Sequence, residues 1–256
     1  HNMKIKHIIM ACILGTILLS CIDNDNYPEM YPTLGTVTEL TNYSINSDSY
    51  GLLIPKNPDI VSLYDADSIG QRVLVNINFP NSEDKNSKEE TGKEVTIYEL
   101  YKVLTKKADD IRLPESETAD KFGNDAIEIT SAIISEEHLN IEFNIFGNDE
   151  TIPHRISLLL TENSQIDDKG LLEVELRHDN NSDDGNKTYW GIASFTLSSI
   201  PECSDERFKG FKIVYNNNNS EPVEVLKQSG NTNVSRSIKS TKEISDWHSL
   251  FSCQLQ

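Results

Sequence analysis

Cysteine is scarce in this chain, four among 256 residues, and what is missing around it excludes several chemistries at once. There is no CxxC pair and no Cys/His spacing suited to zinc, so redox and zinc functions have no local signature. Also absent are a GxSxG nucleophile turn, an HExxH helix and a glycine-rich phosphate loop. Basic residues are short as well. Against 41 Asp and Glu stand 23 Lys and Arg, for a net charge of −18. Such a chain repels nucleic acid and anionic head groups, which argues against a nucleic-acid partner and permits a basic protein. No apolar run reaches the roughly 20 residues that a membrane-spanning helix needs.

One short apolar run is nevertheless informative. After Met3, Lys4 and Lys6 make a positive start, Ile8–Leu19 (IIMACILGTILL) an apolar core, and Leu18-Leu19-Ser20-Cys21 a bacterial lipobox. The pattern predicts cleavage ahead of Cys21 and acylation there, palmitate included. One acyl chain holds a protein only marginally, whereas two or three hold it durably. The expected address is therefore the outer membrane, lipid-anchored, on its cell-surface or periplasmic face. Cys12 leaves with the signal. Cys203 and Cys253 then remain, a candidate disulfide in an oxidising compartment.

Composition divides the chain into a signal (1–20), a Pro- and acid-containing tether (21–32), a first domain (33–107), a linker (108–124), a second domain (125–226) and a polar tail (227–256). In the first domain Gly35–Leu40 and Tyr50–Ile54 are strand candidates. Val73, Val75, Ile77 and Phe79 alternate with Leu74, Asn76 and Asn78, the period of a half-buried strand. Pro80–Gly92 is polar and reads as a loop. Val95–Leu104 resumes the strand pattern, although Leu100, Tyr101, Val103 and Leu104 also suit a helical turn. Short strands around one long loop predict a small barrel.

The second domain alternates more cleanly, in runs that begin at Leu139, Ile156, Leu172, Ala193, Phe211 and Val223. Many short strands, each with one apolar face, predict a β-sandwich. In the tail, Ser240 and Glu243 form a capping-box pattern ahead of Ile244, Trp247 and Phe251, which predicts a short helix.

Several stretches resemble the NigD-like lipoproteins of Bacteroidetes. They are the lipobox with its acidic tether, Thr36-Val37-Thr38, Leu139-Asn140-Ile141-Glu142-Phe143, Pro153-His154-Arg155-Ile156-Ser157-Leu158, Leu172–Asp179, and Tyr189-Trp190 leading into Ser194-Phe195-Thr196-Leu197. The likeness runs from about Pro32 to Leu226. It implies an all-β fold, a small OB-like barrel followed by an immunoglobulin-like β-sandwich. It brings no catalytic residues, and its name comes from a bacteriocin gene cluster. Asp23 and Asp25 resemble the surface-export signal of such lipoproteins, and Asp67-Ser68-Ile69 resembles their O-glycosylation pattern, making Ser68 a candidate modification site.

The remaining candidates are sparse. His154 and His178 can meet on adjacent strands, but a zinc site wants a third ligand that no spacing supplies. The loop Asp179–Gly185 sets Asp179, Asn181 and Asp183 at alternate positions, which makes them a calcium candidate without the EF-hand register. Tyr27, Tyr31, Tyr43, Tyr50 and Tyr64 can stack on sugars or fill a core. Lys102, Lys106 and Lys107 beside Tyr98 and Tyr101 read as solvated surface. The expected role is thus non-enzymatic and without a cofactor. It is a binding or accessory module for a protein partner, the alternatives being a glycan ligand or a bacteriocin-associated, immunity-type role.

Overall fold

The computed structural model describes residues 28–87, 91–217, 221–228 and 255–256. Its first domain runs β1 (Tyr31–Val37), β2 (Ile45–Ser47), β3 (Gly51–Pro55), α1 (Asp59–Leu63), β4 (Arg72–Asn78) and β5 (Lys93–Lys102). The strands close into a barrel in the order β1-β2-β3-β5-β4, with β3 and β5 parallel and the other neighbours antiparallel. This is the five-stranded Greek-key plan of an OB-type barrel. Its inward residues, among them Val37, Ile45, Leu53, Val75, Ile77 and Val95, form one buried cluster.

β5 is extended throughout. The helix-like spacing of Leu100, Tyr101, Val103 and Leu104 arises because Leu100 serves the barrel core, Tyr101 and Val103 a separate cluster between the domains, and Leu104 the second domain's core. The strand also carries one irregularity. Ile77 faces Ile97 while Asn76 faces Glu99, so Tyr98 is the extra residue of a β-bulge. Inward positions therefore jump from Ile97 to Leu100.

The second domain continues with β6 (Leu104–Lys107), β7 (Asp109–Asp110), β8 (Glu128–Ile134), β9 (His138–Gly147), β10 (Arg155–Leu160), β11 (Leu171–Asp179), β12 (Lys187–Thr196), β13 (Gly210–Tyr215) and β14 (Val223–Leu226). One sheet has the order β6-β12-β9-β8 and the other β14-β13-β11-β10-β7. Their facing apolar sides, which include Ile141, Phe143, Leu158, Leu176, Phe195 and Phe211, make a single sandwich core. Leu255 adds to it, bridged in parallel to His154.

The expected domain boundary moves. Leu104–Lys107 belongs to the sandwich, paired in parallel with Ala193–Thr196 of β12. Asp109 and Asp110, expected in a linker, pair with Leu159 and Leu160. The polar composition of 106–124 concealed these contacts, because both are edge strands that keep one side in water. The tail helix expected at 240–251, Cys21 and Cys253 all lie outside the described residues.

The two domains share a buried junction. Leu34 of β1, Leu74 of β4, Val103 and Ile192 of β12 form a separate apolar cluster, with the rings of Tyr101 and Trp190 6.2 Å apart beside it. Burying four such side chains contributes roughly 6–12 kcal/mol as an upper bound. The outer faces of β4 and β9, expected to be half wet, are therefore covered. Leu74 is buried, and so are Asn140 and Glu142.

Candidate functional site

The junction is also where the chain concentrates its buried polar chemistry. Arg72, 1% exposed, enters from the start of β4 and donates from Nη1 and Nη2 to the two carboxylate oxygens of Asp48, at 2.7 and 2.5 Å. It also donates to Thr36 Oγ1 (3.2 Å) and, across the junction, to Asn140 Oδ1 (2.9 Å). Asn140 accepts a further hydrogen bond from Ser194 Oγ and donates to Ser135 Oγ. A guanidinium fork matched to a carboxylate is the strong, directional form of ion pair. Here it fixes the barrel to the sandwich as well.

Beside this network a cleft of about 350 Å³ opens between the domains. Glu136, Glu137 and His138, on the turn from β8 into β9, line it together with Thr36, Gly70 and Ser198. The two glutamates are exposed, whereas His138 is buried. Burial, reinforced by the Arg72 charge, pushes the His138 imidazole down to about 4. The ring is therefore neutral at physiological pH. Beside the lining residue Gly70, whose N–H donates to Val37 O, Ile69 is largely exposed at 70%; Leu63 of α1 is exposed at 77%.

His154 and His178 do come together, but as structure. His178 Nδ1 donates to Ala126 O at 3.0 Å, its Nε2 meets His154 Nδ1 at 2.8 Å, and His154 Nε2 meets Asp183 Oδ2 at 3.1 Å. The two rings and the Asp183 carboxylate thus form one buried hydrogen-bonded chain that ends on the Ala126 carbonyl. Burial and the neighbouring His154 lower His178 despite the bond to Ala126. Burial would raise Asp183, but the N–H groups of Asn148 and Asp149 together with His154 hold it below the usual carboxylate range. Both histidines are fully buried and Asp183 nearly so, which seals the relay from any substrate.

The same geometry engages the loop proposed for calcium. Asn181 and Ser182 take left-handed φ values of 53° and 63°, turning the chain so that Asp183 faces inward, where its oxygens are already bonded. Asp179 accepts from Asn181 N within the loop. Among the described residues no three His, Cys, Asp or Glu side chains converge on a metal position.

Other expected residues fall as follows. Ser68 is exposed in the loop after α1. Cys203 is half-buried, and burial with the Glu202 charge pushes its thiol up to about 12, which leaves it unreactive near neutrality. Tyr31 and Tyr50 pack edge-to-face with Phe79, and Tyr43 joins the same core, so these rings fill the barrel. Tyr64 is exposed and Tyr27 lies outside the described residues. Lys106 is not solvated surface: its ammonium donates to Ile156 O at 2.9 Å, and burial lowers its pKa. Sequence reasoning missed Arg72, Asn140 and the pairing of His138 with the cleft.

An OB-type barrel joined through its outer face to a two-sheet sandwich defines a class of two-domain, all-β protein. Residues 111–226 match the family described as NigD-like C-terminal beta sandwich domain, and the second domain is a member of it. Among solved structures, the chain is similar to a toxin-related protein from Parabacteroides distasonis (22% identity, TM-score 0.59, covering 85% of this chain and 99% of that one). It is also similar to a protein of unknown function from Bacteroides vulgatus (19%, 0.58, 79% and 92%). A third is a Bacteroides fragilis protein named as a lipoprotein (10%, 0.55, 79% and 100%). At these identities the likeness is one of fold, and it spans both domains. No curated protein matches the chain.

Proposed function

We propose that the protein is a lipid-tethered accessory protein of the bacterial envelope that binds a basic protein partner and performs no catalysis. The observation that carries this reading is the barrel end beside the cleft. There Ile69 stands out into solvent beside Gly70, which lines the cleft with the exposed Glu136 and Glu137, and Leu63 is exposed six residues earlier in the chain. Apolar side chains rimmed by charge are the composition of a protein-docking surface. A net charge of −18 selects a basic partner and speeds its encounter.

The lipobox at Cys21 supports the tether, as does the fold shared with the Bacteroides fragilis lipoprotein. No helix among the described residues is long and apolar enough to cross a membrane. The toxin-related relative supports a bacteriocin-associated setting. A glycan-binding role draws less support, because Tyr31, Tyr43 and Tyr50 are committed to the barrel core.

The test places a photo-crosslinking residue at Ile69 or, on another face, at exposed Lys169 in intact cells. One discrete protein adduct is expected from position 69 alone, and it should disappear with Leu63→Asp. Equal labelling from both positions, or none, would overturn the reading. For the tether, labelled palmitate should enter the chain and fail to enter Cys21→Ala.

A further inference from the structure

We infer that the cleft between barrel and sandwich receives a single cationic side chain, a lysine or arginine presented by the partner. This rests on the proposed partner binding and specifies its chemistry.

The first observation is an imidazole that no described protein group bonds. His138 is only 5% exposed, and its ring has no hydrogen-bond partner among the described residues. The exposure it keeps opens into the cleft. An imidazole nitrogen open to a cleft can accept from an incoming donor. The ring is neutral, since burial beside Arg72 keeps its proton off, so one nitrogen offers a lone pair to an N–H.

The second observation is the sign of the lip. Glu136 and Glu137 are both exposed there, and Thr36 and Ser198 add hydroxyl oxygens. The nearest guanidinium, Arg72, is already committed to Asp48 and Asn140, so it does not turn the cleft toward anions. Carboxylates, a neutral imidazole and hydroxyls together accept hydrogen bonds from a cation. A metal ion is a poor match, since three ligating side chains do not converge among the described residues. Size is compatible: at about 350 Å³ the cleft has room for one long side chain.

The probes are Nα-acetyl-lysine methylamide and Nα-acetyl-arginine methylamide, with Nα-acetyl-norleucine methylamide as the uncharged control. Each is titrated into the full chain in detergent micelles, and the His138 ring resonances and the Thr36 and Gly70 amides are followed by NMR. Saturable shifts are expected with the cationic probes and none with norleucine. The Glu136→Gln/Glu137→Gln double variant changes only exposed groups, and it should weaken binding about tenfold, the scale of one lost charge-assisted bond. His138→Phe, read on the two amides, should weaken it similarly. No saturable shift, equal response to norleucine, or unchanged affinity in the glutamine variant would each overturn the inference. An adduct at Ile69 without probe binding would remove the cleft's role and leave the docking reading standing. Probe binding without an adduct would do the reverse.

Discussion

Replacing Arg72 by methionine separates two roles that the structure gives this side chain. Methionine fills a comparable apolar volume, so the change removes charge and hydrogen bonds more than packing. It leaves Asp48, whose side chain is 10% exposed, without its partner, and it leaves Asn140 without a donor from the barrel. Truncating one member of a buried pair costs about 3–5 kcal/mol, mostly because the other charge stays desolvated. The intact pair stabilises far less than that. Arg72 Nε has no partner among the described residues, so part of its own desolvation is never recovered. Arg72→Met should therefore lose about 4 kcal/mol, and adding Asp48→Asn should return about 2 kcal/mol by removing the stranded carboxylate. Urea unfolding followed by Trp190 fluorescence, in a Trp247→Phe background, reads the junction directly, since Trp190 packs beside Tyr101 there. Unfolding of Arg72→Met should also broaden or split as the domains lose their common bond. A loss under about 1 kcal/mol, or strictly additive effects of the two changes, would refute the claim that a buried ion pair holds the arginine that bonds across to the sandwich.

Three further outcomes follow from the same structure. Asp183→Ala strips three hydrogen bonds from a buried position, and it should lower Tm by roughly 5 °C or more, whereas exposed Asp184→Ala should not; millimolar calcium should leave the wild-type Tm unchanged. A Cβ at Gly147 would collide with Asp183 Oδ2 and the Tyr189 ring, so Gly147→Ala should cost about 1–3 kcal/mol by the same unfolding assay. Acidification should destabilise the fold before any carboxylate protonates. Unfolded histidine takes up its proton near 6.5 and native His138 only near 4, so the unfolded state binds more protons in between. Stability should fall as pH drops through that window, by up to about 3 kcal/mol, and His138→Asn should flatten the slope. His178 acts in the same direction, while Asp183 and Asp110, held below the usual carboxylate range, contribute stability that is lost only at lower pH.

Alternation made β4, β9, β11 and the later strands legible, because a sheet with one dry face writes a period of two into the chain. It did not reveal β2, only three residues long, or β8, whose Glu128–Ile134 pattern is mixed. Nor could it tell water from a second domain on the polar face. Asn140 and Glu142 alternate as outward residues should, yet one bonds Arg72 and the other accepts from Trp190 Nε1 at 2.6 Å. The meeting of His154 and His178 was readable, since their strands pair with Ile156 opposite His178. Asp183 was not, because nothing in a run of acids and asparagines says which one turns inward. The cleft eluded sequence reasoning for a related reason. Glu136-Glu137-His138 looks like any solvated turn until the barrel is placed against it.

The parallel docking of β6 on β12 has a consequence for how such a protein can be inherited or cut. Polypeptide leaves the barrel at Lys102 and two positions later is already an edge of the other body. A fragment stopping at Lys107 would carry an orphan strand, while one starting at Ile111, where the family match begins, would bare the flanks of β12 and β10. Neither half is a portable module. Recombination that shuffles one without the other leaves raw sheet margins open to aggregation, so the pair is expected to persist through descent as one indivisible piece.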